Sequence, residues 1–76
     1  MTISSLENGH SAVILGLNVE KQLLDRLLSL GFAKSKIIKK IKTSLGGSTI
    51  VVELDRSCVI LRKEEAKSIQ VEEING

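Results

Sequence analysis

The stretch RLLSLGFAKSK, residues 26–36, decides the fold, because a leucine-rich helical run ends there at a glycine and a strand follows. Apolar residues upstream and within it recur at steps of four, four and three, which is the spacing of one helical face. That pattern predicts an amphipathic helix over residues 19–30. The apolar stripe consists of Val19, Leu23, Leu27 and Leu30, widened by Leu24 and Leu28.

Both ends of this helix carry cap signals. Asn18 is the expected N-cap, since its side-chain oxygen can accept a hydrogen bond from a free backbone N–H. At the other end, Gly31 follows Leu30 as the expected left-handed residue that satisfies the last carbonyls. Phe32 is then expected to contact Leu27, the apolar contact that accompanies this cap.

Working outward, the rest of the chain reads as short strands joined by turns. Alternation and β-branched residues predict five strands, at 10–17, 36–43, 49–54, 58–62 and 69–74. The turns fall at 44–48 and 55–57, and 63–68 is polar and long enough for one helical turn. The predicted class is mostly β with one amphipathic helix (α+β), in which a small barrel-like sheet of about five strands has the helix between strands 1 and 2.

Composition narrows the function classes. The 76 residues carry a net charge of +2, one Phe, one Cys and no Trp or Tyr. A lone Cys excludes an internal disulfide, and scarce aromatic residues weigh against stacking on single-stranded nucleic acid. With no apolar run of the roughly 20 residues that a membrane helix needs, we expect one cytoplasmic domain over 1–76. Its ordered core spans about 6–74, between loose ends at 1–9 and 75–76.

Three stretches together resemble one family. LLSLGF (27–32), SLGGSTIVVEL (44–54) and CVILRKEEAKSIQVE (58–72) are similar, in the same order, to landmarks of FeoA, the small accessory protein of bacterial ferrous-iron uptake. The resemblance implies an SH3-like barrel and no enzymatic activity. It also implies a cytosolic partner surface on FeoB, the membrane iron transporter with a G-protein domain. Docking there would modulate the transporter without any cofactor or membrane insertion.

The sequence departs from this family in two loops. Lys34-Ser35 stands where members usually carry Pro-Gly, Ser44 replaces a Pro, and Gly47 replaces an Asp. Losing Pro removes rigidity from a loop. The departures leave the fold prediction in place and weaken any role that depends on these loops.

Candidate partner-binding residues follow from the apolar residues that a small core does not need. Leu23, Leu27 and Leu30 are predicted to be core, whereas Leu24 and Leu28 extend past it. We expect the partner contact at Leu24, Leu28, Phe32 and Leu45, on the helix face and the loops beside it. An SH3-like module with another protein partner remains an alternative, as does self-association.

The lysines between residues 34 and 42 raise a different alternative, a basic barrel that binds nucleic acid. Five lysines fall within nine residues, at 34, 36, 39, 40 and 42. Without interleaved aromatic residues or a recognition helix, they are more typical of a solvated strand face. Replacing Lys39 or Lys40 by Glu is therefore expected to leave stability nearly unchanged.

Few residues in the sequence support a metal-binding or catalytic site. His10 and Cys58 are far apart and have no His or Cys neighbours, so no metal site is predicted. Cys58 is expected to pack as a small apolar residue. Glu64 and Glu65 lie in a polar turn that we expect to be solvated, and no catalytic residue is predicted.

Overall fold

The computed structural model describes residues 1–74, except for the side chain of Leu45. Within residues 1–74 there are two helices, α1 (Lys21–Ser29) and α2 (Lys63–Lys67). The strands are β1 (Ser11–Leu17), β2 (Ile37–Thr43), β3 (Thr49–Leu54), β4 (Ser57–Arg62) and β5 (Ile69–Glu73). Short 3-10 turns lie at Ile3–Ser5 and Leu45–Gly47. Each predicted strand is present within one or two residues of its expected bounds.

The strands form a single antiparallel sheet in the order β4-β3-β2-β1-β5. The register shifts between Ile14 and Gly16 in β1 and between Lys40 and Lys42 in β2, which marks a bulge in each strand. Bulges bend and twist a strand, so the sheet curls into a small barrel-like shape without closing. The predicted α+β class is confirmed, with α1 between β1 and β2.

The core lies inside the curl of the sheet. On β3, Ile50, Val52 and Leu54 are buried on one face, as the alternation predicts. The remaining buried apolar residues are Ile3, Leu6, Ala12, Ile14, Leu27, Phe32, Ile38, Leu61, Ala66, Ile69 and Val71. They form one cluster drawn from every strand, both helices and the N-terminal segment.

The C-terminal cap of α1 forms as predicted. Leu30 is the C-cap and Gly31 has φ 104°, in the left-handed region. The N–H of Phe32 donates to the carbonyl of Leu27 at 3.0 Å, and that of Gly31 donates to Leu28 at 3.0 Å. These two bonds are the pair that defines a Schellman motif. They return Phe32 to the core beneath the helix.

The predicted N-cap is wrong. The N-cap residue is Glu20, and its side chain makes no capping hydrogen bond. The backbone N–H of Asn18 instead donates to the carbonyl of Ser68 at 2.9 Å, which ties the end of β1 to the α2–β5 connection. This tertiary bond holds Asn18 two residues ahead of the N-cap.

The prediction of a loose N-terminal end is also wrong. Ile3 and Leu6 are buried, and Thr2 forms an isolated bridge with Gln70 of β5. The carbonyl of Met1 accepts a hydrogen bond from the N–H of Val71 at 2.9 Å. The segment therefore extends the sheet beside β5 and contributes two large residues to the core. Residues 75–76 of the same prediction lie outside the described residues.

One member of the predicted helical stripe lies outside the core. Leu27 is fully buried and Leu23 packs against the core, but Leu30 is 38% exposed. At 100° per residue, Leu30 lies about 60° around the helix axis from Leu27. Leu30 is also the C-cap residue, so no further turn of the helix follows it and packs it against the core.

Candidate functional site

The exposed apolar surface of α1 is the first candidate for a partner contact. Leu24 and Leu28 are four residues apart, so they share one flank of the helix. Leu24 is partly buried and Leu28 is 46% exposed, whereas Leu27 beside them is fully buried. We call Leu24 and Leu28 the helix flank. Its two side chains continue the apolar core stripe out to the surface.

Two of the four predicted contact residues do not add to this flank. Phe32 is 0% exposed, so its side chain is not available to a partner and its expected contact role is corrected to core packing. The Schellman bonds that end α1 turn it inward. The side chain of Leu45 lies outside the described part of the chain. Leu30, a predicted core residue, is exposed on the opposite side of Leu27 from the helix flank.

Two of the five lysines between residues 34 and 42 have polar partners within the molecule. Lys36 Nζ lies 3.1 Å from Asp55 Oδ2, and Lys39 stands directly opposite Glu53 of β3. Such cross-strand pairs of opposite charge are mildly stabilising. Lys40 is buried, so two of the five lysines, Lys36 and Lys40, make polar side-chain contacts within the described residues. The segment is therefore not a continuous row of unpaired cations of the kind that binds a phosphate backbone.

Lys40 departs most from the solvated face expected of it. It is 4% exposed, and its Nζ donates to the carbonyls of Ser4 at 3.0 Å and Leu6 at 2.6 Å. Desolvation by burial lowers the pKa of Lys40 from its usual 10.5. Its ammonium holds the N-terminal segment against β2. The expectation that Lys40→Glu would be harmless is therefore wrong, because it would place a carboxylate against two carbonyl oxygens.

Glu65 is a second charged residue that sequence reasoning misassigned. It is 6% exposed rather than solvated. One carboxylate oxygen accepts the N–H of Arg62 at 2.8 Å, and the other pairs with the guanidinium of Arg26 on α1. Glu65 therefore caps α2 and joins the two helices. The available signal was a Glu at the third position of a short helix, where its carboxylate can reach back to the cap N–H.

His10 precedes β1, whereas Cys58 lies on β4, the strand at one end of the sheet. His10 Nδ1 is 3.0 Å from Glu73 Oε2, and its Nε2 is 3.5 Å from Glu7 Oε2. Cys58 is exposed on β4, so its expected role as a packed apolar residue is wrong. Within residues 1–74, no group of three or more His, Cys, Asp or Glu side chains is arranged to hold a metal ion.

Neither helix in the described residues combines the length and the apolar character that a membrane span requires. The longer of the two, α1, has nine residues. At a rise of about 1.5 Å per residue it spans less than half of a bilayer core.

Comparison with known proteins decides the family. The family model for the FeoA domain matches residues 1–73. The chain belongs to the FeoA family. A curated relative from Campylobacter jejuni, named "Putative Fe(2+) transport protein A", is 56% identical over 71 residues, which cover 93% of this chain and 96% of the relative.

Solved structures of FeoA proteins share the fold. The solution structure of iron(II) transport protein A from Clostridium thermocellum superposes with a TM-score of 0.93 at 32% identity, covering 97% of this chain and 46% of that one. Stenotrophomonas maltophilia FeoA, a prokaryotic SH3 domain protein complexed with zinc, gives a TM-score of 0.82 at 29% identity over 95% of this chain and 89% of that one. The expected SH3-like architecture of this FeoA domain is therefore confirmed.

Proposed function

We propose that this FeoA domain is a non-enzymatic cytoplasmic accessory protein of ferrous-iron uptake. It docks on the cytosolic part of a FeoB-type transporter and shifts that protein between conformations or nucleotide states. The size of such a shift is limited by the difference in affinity for the two states. Family membership and the iron-transport names of the relatives support the choice of system.

The observation that carries the docking proposal is the helix flank. Leu28 is 46% exposed and Leu24 partly buried, on a helix whose Leu23 and Leu27 serve the core. Contiguous exposed apolar surface is typical of protein contact sites, and Leu24 and Leu28 are neighbours on one flank of the helix. A partner helix or sheet that covers Leu28 would remove its side chain from water, which favours binding by about 25 cal/mol per Å² of apolar area.

A binding assay with a charge substitution tests this proposal. The cytosolic domain of the FeoB-type transporter from the same organism is immobilised with GDP or with a non-hydrolysable GTP analogue, and this chain is titrated over it. We expect binding that differs between the two nucleotides. Leu28→Lys should weaken binding at least tenfold, about 1.4 kcal/mol, because a charge is costly to bury in an apolar contact.

The matched control is Ile60→Lys, since Ile60 is also an exposed apolar residue but lies on β4. We expect Ile60→Lys to bind the transporter domain as the unaltered chain does, and both variants to retain its melting temperature. No binding with either nucleotide would refute docking. Equal binding by Leu28→Lys would remove the helix flank from the contact.

A nucleic-acid partner is not proposed. Lys36 pairs with Asp55, and the buried Lys40 donates to two backbone carbonyls, so neither ammonium is directed at a free surface for phosphate. Contacts to phosphate would make affinity fall steeply with salt. We therefore expect no salt-sensitive binding to duplex DNA or RNA.

A further inference from the structure

The two edge strands of the sheet, β5 and β4, differ in what lies beside them. Beside β5, the N-terminal segment supplies a carbonyl at Met1 and a bridge at Thr2, so this edge has a strand-like neighbour from its own chain. At the other end of the sheet, β4 pairs with β3 alone among the described elements. A strand paired on one side only presents free N–H and C=O groups along its other side.

Five of the six residues of β4 lack the side chains that usually protect an edge strand. Ser57–Leu61 carries no charge and no Pro, although charged side chains and Pro are common protections of an edge strand. Ile60 is 63% exposed, the highest exposure among the large apolar residues described, and Cys58 beside it on the same face is exposed too. The charged residues Arg56 and Arg62 lie just outside this uncharged segment.

An edge of this kind is complementary to itself. Two copies of one strand can pair antiparallel about a two-fold axis perpendicular to the sheet. Directly opposite residues point to the same face, so their positions in the strand differ by an even number. One residue therefore lies opposite its own copy, and the axis passes between the two. An axis at Val59 places Ile60 opposite Cys58 of the second copy, and Ser57 opposite its Leu61. Every pair within Ser57–Leu61 is then uncharged, and Ile60 gains an apolar neighbour on the outer face. Beyond this segment, Arg62 falls opposite Arg56 of the second copy, a like-charge pair at each end that weakens the association.

We propose that β4 pairs antiparallel with β4 of a second copy of this chain, about an axis at Val59, and joins the two sheets into one. Backbone hydrogen bonds satisfy both edges at once, since each copy supplies the same strand. One short strand covers less than the roughly 1,200 Å² of total area that stable complexes bury. The dimer is accordingly weak and forms at high protein concentration. This inference does not depend on the proposed function.

Sedimentation velocity of the full chain, with a reductant present to keep Cys58 as a thiol, measures the association. From about 10 μM to about 1 mM, a range suited to a weak complex, we expect the average mass to rise toward that of a dimer. Ile60→Lys should raise the dissociation constant at least tenfold, because it places two cations on the joined face. Leu28→Lys, on the helix flank, should associate as the unaltered chain does.

A chain that stays monomeric at the highest concentration would overturn the proposal, as would undiminished association of Ile60→Lys. Loss of association in Leu28→Lys would move the contact to the helix flank and overturn it equally. Failure of transporter binding would leave this result untouched, because the two experiments measure different complexes.

Cross-linking tests the register. In a Cys58→Ser background, Val59→Cys places a thiol directly opposite the same thiol of the second copy, within the Cα separation that a disulfide requires. Ile60→Cys in the same background lies opposite the serine introduced at position 58 of the second copy. The two introduced thiols of that variant are then further apart and should cross-link more slowly. A faster cross-link from Ile60→Cys would overturn the axis at Val59. A rate for Val59→Cys that is independent of protein concentration would overturn the pairing itself.

Discussion

Replacing Gly31 by Ala tests the residue on which the path of the chain from α1 to β2 depends. Gly31 has φ 104° and donates the inner bond of the Schellman motif. An alanine Cβ built there would lie 3.1 Å from Cδ2 of Leu54, a side chain that is 3% exposed. The substitution therefore adds both a backbone strain and a contact with a core residue that has little room to move.

The magnitude follows from three contributions. Placing an L-residue in the left-handed region costs about 1–2 kcal/mol, and relieving a tight core contact adds roughly 1 kcal/mol. Ala restricts the unfolded chain more than Gly does, which returns about 0.4–1 kcal/mol. Gly31→Ala should therefore lower the free energy of unfolding by about 1–2.5 kcal/mol. For a chain of this size, that loss corresponds to a fall in melting temperature of roughly 4–20 °C. Gly31→Val, with a branched side chain, should lose more.

Urea unfolding followed by circular dichroism measures the change, and Gly16→Ala is the matched control. Gly16 lies in β1, and a Cβ added there would meet nothing within 4 Å. We expect Gly16→Ala to leave stability unchanged or to raise it by about 0.4–1 kcal/mol. A Gly31→Ala chain as stable as the unaltered one would show that neither the left-handed φ nor the contact with Leu54 constrains this position.

Three further predictions concern strained and buried groups. Ser35 has φ 76°, so Ser35→Gly should raise the free energy of unfolding by about 0.5 kcal/mol in urea melts. The reason is that the relief of backbone strain exceeds the added conformational entropy of the unfolded chain. A Ser35→Gly chain less stable than the unaltered one would contradict this. Burial lowers the pKa of Lys40 below 10.5, so the unfolded chain holds more protons between the two pKa values. The unfolding free energy of the unaltered chain relative to Lys40→Met should then rise with pH through that window, and a flat difference would count against it. Glu65→Ala should cost about 2 kcal/mol, because it leaves the Arg62 N–H without its acceptor. Arg26→Ala should cost less, because Glu65 keeps its bond to that N–H, although the buried carboxylate loses its counter-charge. Equal losses in thermal melts would contradict the assignment.

Local patterns predicted those elements whose hydrogen bonds close within a few residues. The cap at Gly31 needs only the preceding turn of the helix, and the alternation of β3 needs only its own period. The turn between β3 and β4 is similarly local, with φ 51° at Asp55 and 69° at Arg56. Two successive positive φ values are those of a tight hairpin turn. The tight turn predicted at residues 55–57 is thus present where the sequence places it.

Burial of polar residues could not be predicted in this way. Lys40 alternates with Lys39 along β2, and the two are identical as residue types. Their different environments arise because the N-terminal segment lies across one face of the strand and offers the carbonyls of Ser4 and Leu6. Those acceptors come from 36 and 34 positions away in the sequence, so no local pattern carries the information.

The sequence by itself determined the order of the strands and of α1, the C-terminal cap of α1 and the FeoA landmarks, because each depends on residues close together in the chain. Only the tertiary structure decided that Phe32 lies inside while Leu28 lies outside, and that one sheet edge is covered by Met1 and Thr2 while β4 is left with a single neighbour among the described elements. The physical reason is that exposure depends on which distant segment lies against a residue. The surfaces available to a partner are therefore set by tertiary packing.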